Sequence, residues 1–296
     1  MDGVTPEARV LSIQSHVVRG YVGNKSAVFP LQVLGFEVDA INSVQFSNHT
    51  GYQSWTGQVL NGDQLWALIE GLEKNGLLKG YTHLLTGYVG SETFLRMILC
   101  VLQILRKYNP GLLYVCDPVM GDDGKLYVPK ELVPLFRDEV VPQASLLVPN
   151  QFECELLTGI SIRNELDAAE ACDVLHRKGV VAVIITSLDI AGPESILLFA
   201  SVPVSSSPVG LIKFKIKIPR LKTSFSGTGD LIAALLLAHS YRNPQDWIHS
   251  CELVVGTIQA VLRKTEESGG FELRLVQSKK HIESPEPLYK AEMFLS

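Results

Sequence analysis

The sequence predicts an α/β protein with a mostly parallel central sheet and helices on both faces. Three observations carry this. Short apolar runs that end in polar residues alternate with amphipathic stretches along most of the chain. The runs 112–116 (LLYVC) and 180–185 (VVAVII) are apolar at every position, as strands covered on both faces are. Ser226-Gly227-Thr228-Gly229-Asp230 stands directly before the apolar run 231–238, which reads as a tight turn feeding a buried helix.

The 296 residues, 46% hydrophobic and 19% charged, suffice for a large core. No internal repeat or second boundary is visible, so residues 1–296 are expected to form a single domain. A net charge of −5, with no basic cluster beside aromatics, argues against nucleic acid. No apolar run reaches the roughly 18 residues of a membrane span. Residues 1–8 carry acids and a proline and no signal-like apolar block. Cys100, Cys116, Cys154, Cys172 and Cys251 are scattered and odd in number, as expected for reduced thiols of a cytoplasmic protein. The histidines show no metal-ligand spacing.

Residues 9–14 (RVLSIQ) are expected as the first strand, ended by Ser15 and His16. The turn 20–26 (GYVGNKS) opens a helix over 27–34, stopped by Gly35. It is not a P-loop, because Asn24 intervenes where that motif puts glycine directly before lysine. A strand at 36–44 and a polar loop at 45–52 (QFSNHTGY) follow. A helix over 61–76 starts on Asn61 as cap. Strand 81–85 runs into Thr86-Gly87-Tyr88, and a helix from Ser91 ends at Asn109-Pro110-Gly111. Strand 112–116 leads into Asp117 and Asp122. Then come a helix over 129–141, a strand at 145–148, and a helix opened by Asn150 and Glu153 and closed by Thr158-Gly159. A helix over 166–178 and a strand at 180–185, ending in Thr186-Ser187, complete this series. Residues 203–210 (PVSSSPVG) read as a mobile loop. The run 211–218 (LIKFKIKI) alternates, with Lys213, Lys215 and Lys217 on one face. It fits an edge strand guarded by lysines, or a lysine aimed at bound phosphate. A last helix covers 247–267, and 272–277 (ELRLVQ) is expected as a closing strand.

In such sheets ligands bind beyond the carboxyl ends of the strands. That gathers Ser15, Asp117, Asp122, Asn150, Glu153, Thr186, Ser187 and Asp230 on one edge. The first amides of the helix after Gly227 have no intrahelical partner, and the helix dipole adds positive charge there. This is a phosphate site. Asp230 within it can take a proton from an attacking alcohol; the same position also fits a simple helix cap.

Gly227-Thr228-Gly229-Asp230 resembles the signature of ribokinase-like kinases. SIQSH at 12–16, GYVGN at 20–24, SVQFSNHTGY at 43–52, LTGY at 85–88, YVCDPVM at 114–120 and PNQFE at 149–153 narrow the resemblance to the pyridoxal kinase family, from about residue 9 to the end. The resemblance implies a three-layer α/β/α homodimer. It implies ATP-dependent phosphorylation of the 5′-hydroxyl of pyridoxal, pyridoxine or pyridoxamine. Asp230 would be the base, and the Gly227 to Gly229 amides the anion hole. Ser15 and Thr50 would contact the vitamer ring, with Val22 and Tyr88 nearby. Asp117, Asp122, Glu153 and Thr186 would hold Mg2+. Asn150, Thr186, Ser187 and Thr228 would contact the ATP phosphates, Leu221 and Thr223 would border the adenine, and Tyr127 would lie in a covering loop. Val148 departs from the pattern: relatives carry threonine there, which helps bind K+ or Na+, so this chain lacks one oxygen for that ion. The loop at 122–126 is shorter than in some relatives, and 187–210 departs from their pattern.

Three alternatives are weaker. A non-catalytic vitamin carrier would have lost the base, and Asp230 is present. A nucleotide-dependent oxidoreductase needs G-x-G-x-x-G after the first strand, which Ser15 to Gly23 does not supply. A hydroxymethylpyrimidine kinase shares the fold, but the block at 43–52 argues against it.

Overall fold

The computed structural model describes residues 7–204, 210–223 and 225–295. Most of the N-terminal stretch 1–8 and of the expected 203–210 loop lies outside the described residues. β1 (Arg9–Val17) leads into α1 (Asn24–Val33), β2 (Glu37–Phe46) and β3 (Gly57–Val59). α2 (Gly62–Lys74), β4 (His83–Thr86), α3 (Glu92–Tyr108) and β5 (Leu113–Cys116) follow. A small hairpin, β6 (Gly121–Asp122) and β7 (Lys125–Leu126), precedes α4 (Leu132–Leu135), β8 (Leu146–Leu147), α5 (Gln151–Thr158) and α6 (Glu165–Arg177). β9 (Ala182–Leu188), β10 (Ser195–Pro203) and β11 (Leu211–Pro219) are consecutive. α7 (Thr228–Arg242), α8 (Trp247–Glu267), α9 (Lys279–Glu283) and β12 (Ala291–Met293) come last.

Alternation along the inner strands sets the three layers. Tyr114, Cys116, Leu147, Val183 and Ile185 pack into one buried cluster with α2, α3, α5 and α6. Their neighbours Val115, Leu146, Ala182 and Ile184 pack into the other with α1, α7 and α8. A strand's side chains alternate across the sheet, so apolar residues at every position require a helical layer on each side. The strand order is β12-β11-β10-β9-β8-β5-β4-β1-β2-β3 among the described residues. The six strands from β2 to β9 pair in parallel, and β3, β10, β11 and β12 add antiparallel edges. Fold class and parallel core are as the sequence predicts.

Local signals explain most helix ends. Asn61 and Gln64 form a capping box on α2, and Asn150 and Glu153 form one on α5. Ser91 accepts from the Phe94 amide at 3.3 Å to start α3.

Five expectations fail, each for a physical reason. β1 does not stop at Ser15 but continues to Val17 through a register shift against β2. The helix expected over 129–141 is one α turn followed by a π turn at Phe136–Val140 and a 3-10 turn at Val141–Gln143, because Pro134 and Pro142 lack an amide hydrogen. The strand expected over 272–277 is absent. Leu273 and Leu275 are buried, but the Arg274 amide donates to Thr265 Oγ1 on α8 at 3.0 Å instead of to a strand, and β12 takes the place beside β11. β11 is therefore not an edge. Two of its lysines are tied to α6: Lys213 pairs with Asp173 at 2.7 Å and Lys215 with Glu165 at 2.6 Å, while Lys217 is exposed. β3, β10, β12 and the β6–β7 hairpin have no counterpart in the sequence reading.

Candidate active site

β1 lies between β4 and β2, so strand order reverses there, and in open α/β sheets a ligand crevice forms beyond the carboxyl ends at such a point. Ser15 and Gly87-Tyr88 stand at that place. The register runs from Gln14 opposite Asn42 to His16 opposite Gln45, so Ser15 faces two residues of β2. Such a bulge re-aims a side chain and is common beside active sites. A cavity of about 630 Å³ at the amino ends of the same strands, lined by Arg9, Leu11, Asp39 and Tyr81, lies away from these residues.

The glycine turn closes the crevice from the other side. Gly227 caps α7 in the left-handed region at φ 82°, and no side chain caps the helix, so its first amides stay open to a ligand. A Cβ at Gly227 would collide with the Tyr21 carbonyl. Gly23, at φ 53°, is pressed against Ser15 in the same way. These two positions need glycine for both conformation and closeness. The contact brings the turn after β1 to the glycine turn before α7: the Gly23 amide donates to Asp230 Oδ2 at 2.8 Å, and Ser26 Oγ donates to the Gly227 carbonyl at 2.9 Å. Burial raises the Asp230 pKa, while the amides of Gly23 and of Asp230 itself lower it. The net effect is upward, which makes the carboxylate a better proton acceptor than an exposed one, with its donors limiting the rise.

Asp117, at the end of β5, is 5% exposed. Its Oδ2 has no hydrogen-bond partner, and a Cβ on Gly229 would lie 3.3 Å from that oxygen. Burial first, then Glu153 and Asp230, hold its pKa well above the carboxylate range. Glu153 is as deeply buried, but both its oxygens are used: Oε1 accepts from the Met120 amide at 3.0 Å and Oε2 from the Asn150 amide at 2.9 Å. Burial raises its pKa and those amides oppose the rise. The sequence treats the two acids alike; the structure separates one with a free oxygen from one that fixes the chain behind it. None of Asp117, Glu153 and Asp230 pairs with a cationic side chain among the described residues. A hard divalent cation is held through one or two carboxylates plus phosphate and water oxygens. The buried, unpartnered oxygen of Asp117 fits that need, and no group of three or more His, Cys, Asp or Glu forms a cage by itself among the described residues.

The other predicted residues have local partners of their own. Asn150 donates from Nδ2 to the Gly121 carbonyl at 2.8 Å, tying β6 to α5. Asp122 is exposed on that hairpin, and burial of its carboxyl with Asp123 beside it raises its pKa. Tyr127, 56% exposed, is joined to Tyr88 by a 3.5 Å hydrogen bond from the Tyr88 hydroxyl to the Tyr127 carbonyl. Thr186 is buried, with its amide on the Pro149 carbonyl at 2.9 Å, and Ser187 follows it within β9. Thr50 is exposed beside Gly51, Val22 adjoins the glycine turn, and Thr228 opens α7. Leu221 packs on the apolar core, and Thr223 Oγ1 donates to Glu266 at 3.2 Å. Val148, 2% exposed, is part of the apolar cluster and offers no oxygen. Gln14 and Asn24 were missed as site residues. Asn24 Nδ2 donates to Asn42 and Ile41, and Ser12 Oγ donates to Asn24 Oδ1. Gln14 Nε2 donates to Ser12, leaving Gln14 Oε1 buried and unpartnered beside Gly87 and Asp230. Their polarity within an apolar strand–turn–helix was the available signal.

The chain is similar to known proteins in sequence and in fold. The sequence model of a family described as phosphomethylpyrimidine kinase matches residues 83–267. Pyridoxal kinase of Arabidopsis thaliana is 55% identical over 97% of this chain and 94% of its own. The Homo sapiens pyridoxal kinase is 46% identical over 96% and 98%. A solved pyridoxal kinase from Leishmania donovani, in complex with ADP and pyridoxamine, superposes with a TM-score of 0.91 at 31% identity, covering 98% of this chain and 100% of that one.

Proposed function

The chain belongs to the pyridoxal kinase family, and from that premise we propose how its residues divide the work of phosphorylating the 5′-hydroxyl of pyridoxal, pyridoxine and pyridoxamine with ATP. The observation that carries the reading is Asp230, held by the Gly23 amide at 2.8 Å within an uncapped helix start. Asp230 takes the proton of the attacking hydroxyl as the bond to phosphorus forms. Amides of Gly227, Thr228 and Gly229 receive the negative charge of the transferred phosphoryl group, without reorganising at that moment. Ser15, Val22, Thr50 and Tyr88 orient the vitamer. Asn150, Thr186, Ser187, Leu221 and Thr223 border the nucleotide, and Tyr127 helps exclude water. Mg2+, held through Asp117 with Asp122, Glu153 and Thr186 around it, would neutralise charge on the ATP phosphates when bound. With valine at 148, a K+ or Na+ site has one oxygen fewer, so activation by these ions is weak. The chain works as a single kinase domain, in a cytoplasmic homodimer.

The match over residues 83–267 favours a second reading, a pyrimidine-alcohol kinase. It omits Ser15, Val22 and Thr50, which the vitamer reading needs. The test is coupled ADP release with the three vitamers and with a hydroxymethylpyrimidine. Turnover with at least one vitamer should exceed that with the pyrimidine by about tenfold or more, the discrimination one or two lost hydrogen bonds give. The reverse order overturns the reading.

A further inference from the structure

We propose that Glu272 is a positioning residue for the vitamer, acting as a clasp that holds the ring-binding segments against the glycine turn. The proposal rests on the functional reading above, in which Val22 and Thr50 face the ring. After α8 the chain returns and sets the Glu272 carboxylate between two distant segments. Glu272 Oε2 accepts from the Tyr21 amide at 3.1 Å, and Oε1 accepts from the Tyr52 hydroxyl at 2.9 Å. His49 Nε2 lies 3.3 Å from Oε1. The Gly51 amide donates to His49 Nδ1 at 3.2 Å, which fixes the ring beside the carboxylate. Aromatic contacts close the clasp: His49 and Tyr52 have ring centroids 4.8 Å apart, and Tyr52 and Phe271 5.3 Å.

Both tethered segments lead to the reaction centre. The Tyr21 carbonyl sits against Gly227, and two residues on, the Gly23 amide holds Asp230. On the other side, Thr50 lies between His49 and Gly51, and Gly51 faces Ser226. Hydrogen bonds to a carboxylate are stronger than neutral ones, so one side chain sets the distance between the loop carrying Thr50 and the turn carrying Val22. It touches neither Asp117 nor Asp230 among the described residues. Its loss is therefore read in vitamer recognition before nucleotide recognition or chemistry.

Glu272→Gln keeps shape but removes the charge, and Tyr52→Phe removes one donor. In the full-length protein, Glu272→Gln should raise the vitamer KM about tenfold, the weight of one or two charge-assisted hydrogen bonds. The ATP KM should stay within about twofold and kcat within about threefold. Tyr52→Phe should raise the vitamer KM less, and the double variant should fall short of the product of the two, because they remove one shared contact. An unchanged vitamer KM in Glu272→Gln, or equal rises in both KM values alongside a lower Tm, overturns the inference. A wild type inactive on every vitamer overturns the functional reading and this inference with it.

Discussion

On β11, Lys213 meets Asp173 at 2.7 Å and Lys215 meets Glu165 at 2.6 Å. At the carboxyl end of β5, by contrast, Asp117 is buried within reach of the fields of Glu153 and Asp230, with no cationic side chain to offset it among the described residues. The lysine face follows the rule for surface charge: Lys213 and Lys215 find partners while keeping contact with water, and Lys217 is exposed. The acidic edge breaks the rule for buried charge, which is costly unless paired. On the proposed reading a ligand relieves that cost, so the difference would separate charges that support the structure from the Asp117 carboxyl, which would face Mg2+ and phosphate.

Substitutions on the two sides should therefore behave oppositely. Asp230→Asn should lower kcat by roughly 10²–10⁴, the range for a lost general base, with the ATP KM near wild type and Tm no lower. Retention of more than about half the turnover removes Asp230 from the role. Lys213→Met should do the reverse. Its pair is partly exposed, so stability should fall by no more than about 1 kcal/mol, with kcat and both KM values unchanged. A tenfold loss of kcat would place the lysine face at the reaction centre and dissolve the contrast.

The site was more legible in the sequence than the sheet edges were. Asp117, Glu153 and Thr186 follow apolar runs, so chain order alone puts them at strand ends, and Gly227 announces a turn by its type. The run 195–203 (SILLFASVP) is apolar without a break from 196 to 200, a pattern that fits a covered strand but does not by itself exclude a buried helix. β12 has three residues and no pattern of its own; only its pairing with β11 makes it a strand. For 272–277 the alternation was real, but its cause was burial of Leu273 and Leu275 under α8, which period-two patterning does not distinguish from a sheet. Glu272 carries no local mark at all. Its partners Tyr21 and Tyr52 lie 251 and 220 residues away, and contacts of that separation are set by the fold as a whole.

Asp117→Asn tests the central claim most directly, because it removes the buried ionisable group without removing volume. Melting of the metal-free protein in chelator and the Mg2+ dependence of turnover are measured side by side. The account expects a higher Tm than wild type without metal, since folding no longer has to bury an unpartnered carboxylate or protonate it. It also expects a Mg2+ requirement raised on the order of tenfold or more. A lower metal-free Tm together with an unchanged Mg2+ curve would show that Asp117 supports the fold like the acids of α6, and would contradict the account.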